Sequence, residues 1–356
     1  MVFGIYKTSI KRVAFLAAIF VSLLSLLGNS QLVTAQESGA FNIVTSPLPI
    51  SLNGKPGTTL TTDIRIKNGG SKTEKLKVTL MKFSAYGDEG KPAIAEREPS
   101  DDYFDWVTFS PALFDAEPNE WKTIKMTIKL PQTAAFGYYY AAAFSRASEV
   151  KPTGKQNVLL GSTAVLVLVD AKVPNAKRSA EIVSFTSNKK AYEFLPTTFS
   201  VKIKNSGNVH LVPSGNIIVS RGNKEVARLS VNSASGNVLP ESNRIFTAEW
   251  TDGFPSYGDR VVAGKTVLDK NGKPQKQLQW DLNKISHLRF GRYTAHLIMV
   301  YDDGSRDVPL EATVSFWVIP WRLLGLLLLI LTIPAAIVYV VMRRRITRLK
   351  NVKYKL

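Results

Sequence analysis

Apolar and polar residues alternate at period two through most of this chain. From Lys122 to Leu130, Ile124, Met126, Ile128 and Leu130 alternate with Thr123, Lys125, Thr127 and Lys129. Successive side chains of a strand point to opposite faces, so the segment predicts a strand with one buried and one wet face. Leu60, Ile64 and Ile66 oppose Asp63, Arg65 and Lys67 in the same way, and Leu76, Val78 and Leu80 continue the pattern. Tyr138 to Phe144 predicts a further strand. Ala164 to Val169 is apolar at every position, which predicts a strand buried on both faces. A second series begins with Phe199, Val201 and Ile203 alternating with Ser200, Lys202 and Lys204. It continues at 217–219, 226–231, 244–250, 292–301 and 308–318. The segments 261–268 and 275–282 flank Asn271-Gly272, a hairpin-turn signal. No stretch reads as a long amphipathic helix.

One segment breaks this pattern. Leu323 to Met342 is twenty residues without a charge, and a helix of that length spans a hydrocarbon core of about 30 Å. Trp321 is placed as an interfacial anchor at one end, and Arg343, Arg344 and Arg345 block the other. Pro334 lies mid-span, where membrane helices tolerate it. The tail, 343–356, holds seven Lys/Arg and no acid. The positive-inside rule therefore predicts a cytoplasmic tail with everything before the span outside. The other end agrees: a basic start (Lys7, Lys11, Arg12), an apolar run from Val13 to Leu27, then a polar stretch closing on Val33-Thr34-Ala35. That layout predicts a secretory signal peptide cut after Ala35, with an uncleaved anchor as the alternative.

The expected organisation is a signal peptide (1–35), a first domain (36–170), a linker (171–180) and a second domain (181–319). A transmembrane helix (320–342) and a basic cytoplasmic tail (343–356) follow. The two domains share landmarks. Asp63-Ile-Arg-Ile-Lys-Asn-Gly-Gly70 matches Ser200-Val-Lys-Ile-Lys-Asn-Ser-Gly207, and Phe136-Gly137-Tyr138-Tyr139 matches Phe290-Gly291-Arg292-Tyr293. Same order and similar spacing predict one fold used twice, with an insertion in the second copy around Asn271-Gly272. Many short strands with Gly/Pro turns make the expected fold class all-β: two tandem immunoglobulin-like β-sandwich domains plus one C-terminal transmembrane helix.

Composition narrows the chemistry. The chain has no Cys, so its sandwiches hold together without disulfides, and a thiol nucleophile is excluded. Its three His (210, 287, 296) are scattered, and neither a zinc-protease pattern nor a Gly-x-Ser-x-Gly elbow nor a phosphate loop occurs. We therefore expect no enzyme activity, no cofactor and no metal site. Glu96, Glu98, Asp101, Asp102 and Asp105 form an acidic loop whose carboxylates suit Ca²⁺, but the spacing fits no EF-hand and Arg97 lies among them; a solvated loop is the plainer expectation. The net charge of +18 is concentrated partly in the two termini, where topology and anionic lipid explain it. An exported chain does not meet nucleic acid. Trp106, Tyr138, Tyr139 and Tyr140 are the candidate ligand-binding aromatics, with sandwich core as the competing reading; alternation turns Tyr139 away from its neighbours. Strand addition at an open sheet edge is a second route to binding.

One stretch goes beyond generic pattern. Asp105-Trp106-Val107-Thr108-Phe109-Ser110-Pro111, then Glu117-Pro118-Asn119-Glu120, then the alternating strand to Leu130-Pro131, lead into Ala134-Ala135-Phe136-Gly137-Tyr138-Tyr139-Tyr140-Ala141-Ala142-Ala143-Phe144. This run resembles the first domain of the bacterial WxL-interacting proteins. The layout resembles that family along the whole chain; the motifs match over Phe41 to Asp170, and the second domain matches by position and strand pattern. The resemblance implies a cell-surface protein whose first domain associates with peptidoglycan and whose second contacts a partner protein. The expected function is thus a non-catalytic, membrane-anchored surface protein binding cell-wall polymer, a surface protein, or both. The alternative is an exported, pilus-chaperone-like assembly factor acting by strand addition.

Overall fold

The computed structural model describes residues 41–147 and 161–353; the expected signal peptide lies outside them. Ten strands build the first sandwich: β1 (Ile43–Ser46), β2 (Ile50–Gly54), β3 (Thr59–Asn68), β4 (Glu74–Tyr86), β5 (Lys91–Ala95), β6 (Val107–Ser110), β7 (Leu113–Ala116), β8 (Trp121–Lys129), β9 (Phe136–Arg146) and β10 (Ser162–Ala171). One sheet runs β1-β3-β8-β6. The other runs β2-β10-β9-β4-β5, with β7 also on β4. The second sandwich has β11 (Ala180–Ser187), β12 (Ala191–Tyr192), β13 (Thr197–Asn205), β14 (Ser214–Arg221), β15 (Lys224–Val231), β16 (Asn243–Trp250), β21 (Gly291–Asp302) and β22 (Asp307–Val318). Four short strands, β17 (Ser256–Asp259), β18 (Val261–Val262), β19 (Lys265–Thr266) and β20 (Lys276–Gln279), interrupt it. Its sheets run β11-β13-β16 and β12-β22-β21-β14-β15. The larger sheets share one order, each with a short strand parallel to its neighbour at one edge (β2 on β10, β12 on β22).

Outside 261–268 and 275–282 the expected strands are present, and their alternation is the reason they fold. Ile64 and Ile66 on β3 and Ile124, Met126 and Ile128 on β8 close one core with Tyr140 and Phe144 of β9. Phe199, Val201 and Ile203 on β13 meet Leu297, Met299 and Phe316 in the other. The acidic loop around Glu96–Asp105 holds a 3₁₀ turn at Asp102–Trp106, and the residues flanking it form β5, β6 and β7, for which no strand is expected from the sequence. These strands are four or five residues long and lie at sheet edges, too short to display a period. In the second sandwich, 251–290 replaces the short β8–β9 connection, so the insertion falls where Asn271-Gly272 lies. There β17 pairs with β20 and β18 with β19, rather than one uninterrupted hairpin.

The repeat is a physical device. Asn68 and Asn205 are buried at the ends of β3 and β13. Each Oδ1 accepts from the N–H two residues on, Gly70 or Gly207, at 2.8 Å. Each Nδ2 donates to the carbonyl four residues on, Lys72 at 2.7 Å or Val209 at 2.8 Å, and to a distant carbonyl, Ala116 or Val238, at 2.9 Å. One amide thereby satisfies a turn and ties it to a remote segment. The second landmark needs a correction of one residue. The Tyr138 hydroxyl accepts from the Ala135 N–H, and the Tyr293 hydroxyl from the Phe290 N–H. Two residues before each Tyr the backbone is left-handed, at Phe136 (φ 68°) and Gly291 (φ 109°). Tyr138 therefore matches Tyr293, and Tyr139 matches Thr294.

The apolar C-terminal segment is one helix, α1 (Trp321–Lys353), which continues through the apolar span into the basic tail. Within it, Trp321–Arg344 is 24 residues long and apolar enough to cross a membrane, or about 36 Å of helix. None of that span is buried against the sandwiches. Thr332 Oγ1 donates to the Leu328 carbonyl at 2.8 Å one turn before Pro334, which has no N–H to offer the helix.

Two outcomes are expected. Asn205→Ala orphans the Gly207 N–H and the Val209 carbonyl and removes one of the two donors to the Val238 carbonyl, which keeps the Leu211 N–H; this costs about 2–4 kcal/mol, and chemical denaturation reads it as a lower midpoint. Glu74 is held low by its bond to Arg146, Asp101 by the Glu98 N–H and Lys82, and Asp303, at about 2, by the Ser305 hydroxyl and nearby backbone N–H groups. Their folded values lie below their unfolded ones. Their stabilisation is complete above the unfolded range near 4 and is lost as pH falls through the folded values. Thermal melts should be flat near neutrality and drop steeply between about pH 4 and 2.

Candidate functional site

The aromatics around β9 divide between two surfaces, as alternation requires. Tyr138 and Tyr140 face the core. The 3₁₀ turn brings Tyr103, Phe104 and Trp106 against them, with ring centroids 4.8 Å apart for Trp106–Tyr138, 5.4 Å for Tyr103–Tyr140 and 5.6 Å for Phe104–Tyr140. The Tyr140 hydroxyl donates to the Tyr103 carbonyl at 3.1 Å. Burial raises the Tyr140 hydroxyl well above its ordinary value and pushes that of Tyr103 up to about 12. Tyr140 is fully buried, so as a ligand-binding residue it is corrected to core. Trp106 and Tyr138 are half-buried and spend their ring surfaces on each other and on Tyr103. These three rings anchor the turn to the sheet.

Tyr139 points the other way, onto a second apolar surface. Met81, Phe83, Ala141, Ala143 and Leu168 are buried there, and Leu239 of the second sandwich packs against them. This is the outer face of the β2-β10-β9-β4-β5 sheet, so the second sandwich covers the side of β10 that its own core does not. Charges frame the contact. Asp170 lies 3.3 Å from Arg178 and 3.1 Å from His210, and Lys202 pairs with Asp88 at 2.6 Å. The Asp88 carbonyl accepts from the Ile245 N–H at 2.6 Å. The Lys202 ammonium holds the Asp88 carboxyl below its usual value. Beside this seam opens a cleft of about 450 Å³ whose walls include Phe83, Ile94, Leu166, Leu239 and Arg244. Arg244 donates to the Asn237 carbonyl at 2.7 Å and lies over the Phe246 ring.

The acidic loop is tied up by bases: Asp101 sits 3.0 Å from Lys82, and Asp105 accepts from Arg97 at 2.7 Å. Among the described residues, no three His/Cys/Asp/Glu side chains gather as a metal site would require. His296 lies 3.4 Å from Glu311 on the wet face of β21 and β22.

The sheet edges provide the remaining surface. β5 opens with Lys91-Pro92, β15 carries Lys224, Glu225 and Arg228, and β1 and β6 are four residues long. Charge, proline and brevity are the ordinary guards of an open edge. The outer side of β16 is met by Asp88 of the first sandwich. β11, AEIVSFTS, differs: it has eight residues, pairs among the described residues with β13 alone, and carries neither Pro nor Lys. A bulge between Ile182 and Ser184 turns Val183 outward, where it is 49% exposed. Sequence reading missed this strand because Ile182-Val183 interrupts the alternation at that bulge. The cleft was missed for another reason: its walls come from segments more than sixty residues apart, such as Ile94, Leu166 and Leu239.

No family model matches the chain, and no curated protein matches it. Among solved structures it is similar to the class 5 fimbriae chaperone CfaA, with 12% identity, 76% of this chain and 98% of that chain covered, and a TM-score of 0.36. It is also similar to the E. coli chaperone DraB (12% identity, 76% and 96% covered, TM-score 0.32) and to a PapD-like domain of human CEP192 (13%, 40% and 95%, 0.24). At these scores and identities, the fold assignment rests on the strand order and register of the chain itself.

Docking of the sandwiches predicts coupled unfolding. Leu239→Asp places a carboxylate against the apolar surface around Leu168. Calorimetry of this variant should resolve two transitions where the parent chain shows one; a single unshifted transition would count against the docked arrangement.

Proposed function

We propose that this chain is an exported, non-catalytic binding protein, tethered to a bacterial membrane by α1 with its sandwiches outside and its basic tail in the cytoplasm. Its partner is a protein segment that adds as a strand along β11. The observation that carries this reading is the contrast between β11 and the other edges: it has eight residues, carries Ile182, Val183 and Phe185 with a single charge at Glu181, and lacks the Lys and Pro that guard its counterparts. Backbone N–H and C=O groups along such an edge supply affinity, and exposed side chains such as Val183 supply selectivity. The orientation is supported by the seven Lys/Arg after the span.

A second reading follows the resemblance of 105–144 to WxL-interacting proteins: the first sandwich associates with peptidoglycan and the second contacts a surface protein. The two readings share the membrane tether and the absence of catalysis. They differ in what the first sandwich does.

The chain lacks Cys, so Glu181→Cys carries a photo-cross-linker at one place on the β11 edge. In the native envelope, a discrete protein adduct is expected, and Val183→Lys on the same chain should cut its yield about ten-fold, equivalent to 1.4 kcal/mol, without moving the melting midpoint. No adduct, or a yield indifferent to the added charge, rejects strand addition at β11. Retention of the full chain on purified sacculi supports the second reading for the first sandwich, and its absence removes peptidoglycan from consideration.

A further inference from the structure

The insertion in the second sandwich displays an apolar surface beside the foot of α1. Trp280, Leu282, Ile285, Leu288 and Phe290 are all exposed, with Leu282 at 71% and Ile285 at 62%. Exposed apolar residues scattered singly need no explanation, but a contiguous series of large ones marks a contact surface. The segment that carries them is firmly held. The Phe254 N–H donates to the His287 carbonyl at 3.0 Å. Arg289 reaches the Asp252 carboxylate at 2.6 Å and the Asp252 carbonyl at 2.9 Å. His287 also bonds to Asp252, and the Trp280 ring meets Phe254 edge-on at 5.8 Å. Asp281 caps the 3₁₀ turn Leu282–His287 by accepting from the Asn283 N–H. The anchoring groups are polar, and the apolar side chains are turned out.

Register places this surface at the membrane end of the sandwich. Phe290 precedes Gly291, the first residue of β21, which pairs with Val318, the last of β22. Three residues later α1 begins at Trp321. The Ile319 N–H donates to the Tyr192 carbonyl at 2.7 Å, and Arg322 lies 3.5 Å from Glu193, so the helix leaves from this same end. Trp317 and Trp321 are exposed there too. The insertion is also basic, with Arg260, Lys265, Lys270, Lys273, Lys276, Lys284 and Arg289 against Asp252, Asp259, Asp269 and Asp281.

We propose that 280–290 is a monotopic membrane contact: Leu282, Ile285, Leu288 and Phe290, with Trp280 and Trp317, enter the headgroup–acyl boundary of the bilayer that α1 crosses. The inference rests on α1 being a membrane span. Tryptophan favours that boundary, and an apolar face with basic surroundings suits an anionic lipid surface. Two attachments, one spanning and one lying on the surface, fix the tilt of the second sandwich. They also set the height at which β11 and the cleft are presented.

Single-cysteine variants of the full chain test this directly. Ile285→Cys, Leu328→Cys in the span and Ser71→Cys in the exposed turn between β3 and β4 are each labelled with an environment-sensitive fluorophore. Each is then reconstituted in vesicles of zwitterionic and anionic phospholipid bearing a shallow nitroxide quencher. Probes at 285 and 328 should each lose roughly half their emission to the lipid quencher, as insertion by 5–10 Å implies, while 71 stays bright. A quenched 328 with 285 as bright as 71 overturns the surface contact and leaves the span intact, whether water or a second protein covers the patch. An unquenched 328 fails the span itself.

Discussion

β10 is apolar on both faces, and that constraint shapes the pair of sandwiches. Val165, Val167 and Val169 enter the core of the first sandwich, and Leu168, with Leu166 and Ala164 beside it, faces away from that core. A sheet in an isolated sandwich has a wet outer face. Here that face carries Met81, Phe83, Ala141 and Ala143 as well, and burying it requires another body. The second sandwich supplies Leu239, with the pairs Asp170–Arg178 and Lys202–Asp88 around the contact. Burial of the apolar area favours docking, and the charges select the arrangement.

From that contact the binding surfaces follow. The cleft lies beside that contact, with walls from both sandwiches. The outer side of β16 is met by the first sandwich, whereas β11, on the other edge of the same sheet, is left open. The two copies of the fold have thus diverged in use. Each keeps the buried Asn and the Tyr that closes the turn before its long strand, because those satisfy backbone groups that the strand ladders leave unpaired. The short connection after β8 became, in the second copy, a forty-residue excursion at 251–290 that shows apolar side chains at the foot of α1.

The aromatic run at 138–140 shows how residue type alone misleads. Three tyrosines in a row suggest a binding platform, yet two of them close the core and the third lies in the contact between sandwiches. The cost of leaving such rings in water outweighs their use as ligand contacts unless the backbone turns them outward.

The amino-acid sequence by itself determined the strand faces, the duplication through its Lys-Asn-x-Gly landmarks, and the apolar helix, since each depends on a local period or a continuous run. It also marked β10 as buried on both faces without naming what covers the second one. Tertiary structure alone decided the rest. It showed that Leu239 is the cover, that Tyr138 rather than Tyr139 aligns with Tyr293, and that Val183 bulges from an edge without Lys or Pro. It set Phe290, next to Gly291, at the end of β21 that pairs with Val318, three residues before Trp321. These facts depend on which distant segments lie side by side, and a chain's local pattern records the faces of its strands but not their neighbours.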